Sequence, residues 1–227
     1  MKKYKYLILS SLIIVLFAAC SSDDNDATPG NPVMELKSDI ANALFGDSLP
    51  FTVHVSDNVP LSTLTVNLYF GDEKVSERTI RTKTAGDYSG KIYIPYYKDI
   101  PDGTATLDFI LMDTHLTSVK KSFDLPVSRP QYPYLILVSG DVSYPMIPTG
   151  TAYEYAATEN FPSTDLPAYI KTPVTGNGNE ITFGWESGEI TQGVTNDIPF
   201  TSAQGGSYSV IFNTKTYQAT PFFELTI

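Results

Sequence analysis

From residue 33 onward the apolar residues of this chain recur with a period of two, and no stretch after residue 20 repeats them at helical spacing. Such alternation buries one face of an extended strand and leaves the other in water, so it excludes a helical core. Phe51-Thr52-Val53-His54-Val55, Leu64-Thr65-Val66-Asn67-Leu68-Tyr69-Phe70, Tyr88-Ser89-Gly90-Lys91-Ile92-Tyr93-Ile94 and Thr104-Ala105-Thr106-Leu107-Asp108-Phe109-Ile110-Leu111 have strand length. They are rich in β-branched and aromatic residues, which suit a pleated surface. Ser56-Asp57-Asn58, Gly71-Asp72, Ala85-Gly86-Asp87 and Pro101-Asp102-Gly103 separate them with turn-forming residues. The pattern predicts an all-β chain whose first β-sandwich covers residues 33–128.

Val127-Ser128-Arg129-Pro130-Gln131-Tyr132-Pro133 has two prolines and no periodicity, which marks a domain boundary. A second β-sandwich module is predicted over 129–227. It opens on Tyr134-Leu135-Ile136-Leu137-Val138, apolar enough to be buried on both faces. Residues 140–178 read as irregular, with Pro145, Pro148, Pro162, Pro167 and Pro173 interleaved with Tyr144, Tyr153, Tyr155, Phe161 and Tyr169. Order returns in Glu180-Ile181-Thr182-Phe183-Gly184-Trp185-Glu186, in Tyr208-Ser209-Val210-Ile211-Phe212-Asn213 and from Tyr217 to Ile227.

About seven short strands in ~95 residues is an immunoglobulin-like pattern, and residues 57–116 resemble bacterial Ig-like domains in detail. The resemblance lies in Asp57-Asn58-Val59-Pro60-Leu61 before a Val-rich strand, Gly86-Asp87-Tyr88 opening another, and Asp102-Gly103-Thr104 leading to Met112-Asp113-Thr114-His115. It implies a spacer. Asp57, Asp102 and Asp113 lack a dense D-x-D-x-D loop and are read as turn residues, so no metal site is expected.

The amino terminus supplies an address. Met1-Lys2-Lys3-Tyr4-Lys5 is followed by an apolar run from Leu7 to Phe17 and then Ala18-Ala19-Cys20, which holds the only cysteine. A basic segment, a short apolar core and small residues form a secretory signal over 1–19, too short for a comfortable membrane span of ~20 residues. A cysteine after two alanines resembles the lipobox of bacterial lipoproteins, which implies acylation at Cys20. Ser21-Ser22-Asp23-Asp24-Asn25-Asp26 resembles the signal that sends such lipoproteins to the outer face of the outer membrane. Residues 20–32 are too polar to bury their way into order and read as a flexible tether. Removing 1–19 takes three lysines and no acid, so the formal charge falls from −10 to −13. That argues against nucleic acid and anionic lipid as partners, so membrane attachment is expected through the acyl chains rather than a basic face.

A lipobox, an acidic tether, an Ig-like spacer and a module that opens on Tyr134-Leu135-Ile136-Leu137-Val138-Ser139-Gly140-Asp141 and closes on Gly206-Ser207-Tyr208-Ser209-Val210-Ile211-Phe212-Asn213 resemble the SusE/SusF-type surface glycan-binding lipoproteins of polysaccharide-utilisation systems. The resemblance implies a non-catalytic protein that captures oligo- or polysaccharide for a SusC/SusD-type outer-membrane importer. Where that family tends to carry Gly-Trp soon after the opening strand, this chain has Ser143-Tyr144-Pro145. The abrupt strand at 222–227 reads as a shortened form of relatives that carry further modules.

A sugar presents apolar C–H faces and hydroxyl rims, so it needs a flat aromatic surface beside hydrogen-bonding groups. The candidates in the second module are Tyr144, Tyr153, Tyr155, Tyr169, Asn177, Asn179 and Trp185. Strand phase puts Trp185 with Ile181 and Phe183 on the inward face. No G-x-S-x-G or H-E-x-x-H occurs, and His54 and His115 read as structural, so neither an enzyme nor a cofactor is expected. The alternative is a fimbrillin-like or adhesin-type lipoprotein. Lys37 is the only basic residue between Cys20 and Lys74, which disfavours the early basic cleavage that polymerising pilins need.

Acylation at Cys20 predicts that Cys20→Ala releases the protein from the membrane fraction and abolishes metabolic lipid labelling. Retention of both would refute the anchor.

Overall fold

The computed structural model describes residues 29–174, 176 and 178–222; the signal, Cys20 and most of the acidic tether lie outside them. All regular elements among the described residues are strands. The first eight are β1 (Val33–Leu36), β2 (Ala43–Leu44), β3 (Ser48–Ser56), β4 (Leu61–Phe70), β5 (Glu73–Arg81), β6 (Gly86–Tyr93), β7 (Gly103–Asp113) and β8 (Ser118–Ser128). They form a three-stranded sheet, β1-β3-β6, and a five-stranded sheet, β2-β8-β7-β4-β5. The pairs are antiparallel except β2 with β8.

The alternation that predicted these strands is the alternation that fills their core. On β3, Phe51, Val53 and Val55 are buried, and β7 contributes Leu107, Phe109 and Leu111 from the other sheet. The two sheets meet where the rings of Phe51 and Phe109 pack edge to face at 5.6 Å. β5 carries Glu73, Lys74, Glu77, Arg78 and Arg81 along a free edge, a composition that deters pairing with another chain. The three turn aspartates each accept from backbone amides. Asp57 Oδ1 accepts from the Asn31 and Asn58 amides, and Asp113 Oδ1 from those of His115 and Thr117. Asp102 Oδ1 accepts from the amide of Arg129 at 2.6 Å.

The second domain comprises β9 (Leu135–Ser139), β10 (Val142–Pro148), β11 (Glu154–Phe161), β12 (Asp165–Lys171), β13 (Thr182–Glu186), β14 (Glu189–Gln192), β15 (Ile198–Thr201), β16 (Gly206–Asn213) and β17 (Ala219–Thr220). One sheet runs β14-β13-β12-β9-β10-β11-β16-β17, with β15 added to β12. It folds back on itself at β10, which pairs with β9 through 142–146 and with β11 through Ile147 and Pro148. Strands that change partners in this way make the corners of a sandwich. Phe183 of β13 and Phe212 of β16 then face each other across the core at 4.9 Å. The chain is therefore a tandem of two β-sandwiches.

The stretch 140–178, expected to be irregular, contains β10, β11 and β12. Its prolines misled because they occupy places where a strand tolerates a missing amide. Pro148 sits at the corner, and Pro167 lies opposite Pro199 in the short β12–β15 ladder. The strand expected from Tyr217 onward is represented by β17 alone; 223–227 lie outside the described residues.

Gly184 shows how closely β13 is packed. A Cβ there would stand 2.7 Å from the carbonyl oxygen of Asn196 and 2.9 Å from that of Val194, both backbone atoms. Gly184→Ala is expected to cost about 1–3 kcal/mol by overpacking, seen as a lower urea midpoint. A wild-type midpoint would mean that the 194–196 segment yields without strain.

Candidate functional site

The two sandwiches meet along a seam built around one cation. Arg129 follows β8 and is only 4 % exposed, yet among the described residues no carboxylate pairs with its guanidinium. Its Nη1 donates to the carbonyl of Thr214 at 3.0 Å in the second domain, and its Nη2 to the carbonyl of Tyr97 at 2.7 Å in the first. The guanidinium also lies 4.6 Å from the centre of the Tyr96 ring, a cation–π contact. Tyr96 donates its own hydroxyl proton to the same Thr214 carbonyl at 3.0 Å and packs its ring edge-on against Phe183. Burial pushes the Tyr96 phenol up, against the pull of Arg129.

Further polar bonds cross the seam. The amide of Asp99 donates to the carbonyl of Lys215 at 2.8 Å, Asn179 Nδ2 donates to Ser48 Oγ at 3.1 Å, and Asp47 bridges to Gly178. Asp99, Tyr153 and Tyr217 all adopt left-handed φ, at 56°, 64° and 55°. All three are bonded to the 213–217 segment: Asp99 at Lys215, Tyr153 through the amide of Thr214, and Tyr217 through its amide to Asn213. Strain of this kind persists only where surrounding contacts hold it, and it gathers at functional places.

Outside this buried stem the seam opens into a groove of about 390 Å³, lined by Tyr96, Tyr97 and Lys98 of the first domain and by Glu189–Gln192 and Tyr217 of the second. Tyr97 is 50 % exposed. Lys98 Nζ stands 3.8 Å from Glu189 Oε2 across the mouth. A second hollow, of about 340 Å³, is lined by Tyr93, Asn179, Glu180, Thr182 and Gly193. Gln192 belongs to the lining of both. In the first groove a half-exposed phenol ring, an amide, a carboxylate and an ammonium stand together, a set that can stack on an apolar face while hydrogen-bonding its rim.

Among the described residues singled out in the sequence, Asn179 is the one that lines these two cavities, in the second hollow. Tyr155 is buried at 2 % exposure, donating its hydroxyl proton to the Tyr132 carbonyl and accepting from the Tyr132 amide, and borders a separate groove. Tyr153, half-buried, shares a separate groove of about 320 Å³ with Gln131 and Glu154. Tyr144 packs on Phe161 at 5.0 Å, and Tyr169 is half-buried in β12 opposite Val138. Trp185 packs against the core, half-buried, with its ring 5.8 Å from that of Phe222. Asn177 lies outside the described residues. Sequence reasoning missed Tyr93, Tyr97, Lys98, Glu189 and Gln192, because the site forms only when the end of β6 meets β14. The available signal was Pro95-Tyr96-Tyr97-Lys98, an aromatic cluster immediately after a strand.

Fold and groove together define a two-domain, all-β chain with a cleft on the seam between its sandwiches. It belongs to the family described as Domain of unknown function (DUF5016), whose model matches residues 1–120. Residues 124–227 match a second model, Domain of unknown function (DUF5125). Against curated proteins the chain finds no match.

Because the Arg129 fork satisfies carbonyls from both domains, Arg129→Lys, with one point charge, is expected to lose at least about 2 kcal/mol of stability. Lys98→Ala, which removes a solvent-exposed pair, should stay within about 0.5 kcal/mol of wild type. Equal denaturation midpoints for the two variants would refute the central role of Arg129.

Proposed function

We propose that this chain is a non-catalytic surface lipoprotein that binds oligo- or polysaccharide in the seam groove for uptake by an outer-membrane glycan importer. One observation carries the reading: Tyr97, 50 % exposed, stands beside Gln192, Glu189 and Lys98 in an open groove, and Tyr93, 40 % exposed, lines the hollow that shares Gln192 with it. Water leaves a phenol ring cheaply when a sugar's C–H face replaces it, and the surrounding polar groups then exchange water for hydroxyls. The lipobox, the acidic tether and the resemblance to SusE/SusF-type proteins support the surface location and the importer partner. The same features support attachment to the outer membrane, facing outward.

The test is affinity electrophoresis of the whole chain through gels containing β-glucan, α-glucan, mannan or chitin derivatives, followed by calorimetry on the glycan that retards it. Tyr97→Ala should lose roughly thirtyfold in affinity, the effect of removing a hot-spot side chain of about 2 kcal/mol. Tyr153→Ala, in the separate groove, should leave affinity unchanged. The reverse order moves the site to the second groove. Retardation by no glycan, with a copurifying protein instead, would favour the adhesin-type alternative.

A further inference from the structure

Lys98 and Glu189 face each other across the mouth of the seam groove, one from each domain, and their roots are fixed while their heads are not. Lys98 follows Tyr97, whose carbonyl is held by Arg129 Nη2, and precedes Asp99, whose amide donates to the Lys215 carbonyl. Glu189 opens β14 directly after a two-residue turn, Ser187-Gly188, in which both residues have positive φ, at 54° and 93°. Across that turn Glu186 pairs with Glu189. A turn of this kind sets the register of its hairpin and so the root of Glu189. Beyond the roots, the two side chains are 48 % and 67 % exposed.

The gap between the heads suits one kind of ligand atom. Lys98 Nζ stands 3.8 Å from Glu189 Oε2, longer than a charge-assisted hydrogen bond of about 2.8 Å. Among the described residues neither head has a second ion-pair partner. An oxygen bonded to both at about 2.8 Å, with a tetrahedral angle between the bonds, would hold them about 4.6 Å apart. Flexible stems reach that spacing by opening less than about 1 Å. The bridging atom must accept from the ammonium and donate to the carboxylate, and a hydroxyl does both. An ether or carbonyl oxygen only accepts, and an ammonium only donates. A ligand carboxylate would accept at Lys98 while setting a second negative charge against Glu189, and Asp99, exposed beside Lys98, adds another.

We propose that Lys98 and Glu189 form a hydroxyl-bridged pair that makes the groove selective for neutral glycans over uronate-containing ones. This rests on the glycan reading of the groove and narrows its substrate class. The exposed Tyr97 ring takes an apolar sugar face, and the neighbouring pair takes a hydroxyl from the rim. Lys98 supplies attraction alone, whereas Glu189 binds the hydroxyl proton and also repels a carboxylate. Specificity needs such a repulsive element as well as an attractive one. An exposed pair contributes little to stability, so its heads part without loss of the fold.

The test is affinity electrophoresis of the whole chain on β-glucan, α-glucan, mannan and chitin derivatives, each as the neutral polymer and after oxidation of its C6 alcohols to carboxylates. The wild type should bind the neutral polymer that retards it at least about tenfold more tightly than the oxidised form, the effect of one unscreened like charge. This comparison needs no variant. Glu189→Gln removes the repelling charge and frees Lys98, so the oxidised form should gain about tenfold while the neutral one loses about threefold. Lys98→Gln should weaken the neutral polymer similarly and give the oxidised form nothing. Exchanging the charges, Lys98→Glu with Glu189→Lys, keeps a donor opposite an acceptor, and the hydroxyl turns with them. That double variant should bind the neutral polymer within about threefold of wild type. Wild-type binding of an oxidised polymer as tightly as its neutral form, or a neutral preference that survives Glu189→Gln unchanged, overturns the pair's role and leaves the groove as a glycan site. Retardation by no polymer in either form overturns the glycan reading and the pair's role with it.

Discussion

A buried guanidinium held by carbonyls and one aromatic face is the interaction on which this molecule turns. Removing a charge from water is costly unless the protein replaces its hydration. Arg129 is compensated by acceptors drawn from two domains: Thr214 on one side, Tyr97 and Ile100 on the other. Neither domain alone supplies the full set, so the two sandwiches are held in the one arrangement that satisfies the cation. The rigidity of the 95–100 segment follows, since its carbonyls are committed to Arg129 while Tyr96 is committed to Thr214. Everything in the groove is positioned by that segment or by the strands it packs against.

The tyrosines divide accordingly. Tyr96, Tyr132, Tyr155 and Tyr217 are buried, and burial raises each phenol, keeping it neutral and able to donate. The hydroxyls of Tyr96, Tyr155 and Tyr217 all find acceptors, so these three stabilise as well as fill. Tyr93, at the end of β6, and Tyr97, just beyond it, stay half-exposed. A single aromatic-rich stretch thus supplies both the fastening and the open rings beside it.

The strands of the first domain were legible because alternation and burial coincide residue by residue, as at Phe51, Val53 and Val55. The inward phase read for Trp185 likewise agrees with its packing on Phe222. The 140–178 stretch was not legible as strand, because its prolines act locally against a ladder while the sandwich corner and a two-proline pairing accommodate them. The groove was the least legible feature. Tyr97 and Gln192 are separated by most of a domain's worth of chain, and neither belongs to a pattern that marks it before the two sandwiches dock.

The first domain also sets where that groove stands. β3 begins at Ser48, whose hydroxyl meets Asn179 at the seam, and ends at Ser56, beside the Asp57 loop that holds the Asn31 amide. Asn31 lies near the amino-terminal end of the described residues. A nine-residue strand at about 3.3 Å per residue spans nearly 30 Å, so Asn31 and the groove occupy opposite ends of the same sandwich. The hydrogen bonds of Asp57 and Asn58 to Asn31 fasten the chain at one pole, and Arg129 fastens the second domain at the other. Placement of the groove therefore depends on two polar clamps at the ends of β-sheets whose middle buries apolar side chains, with Asn67 and Asp108 as polar exceptions.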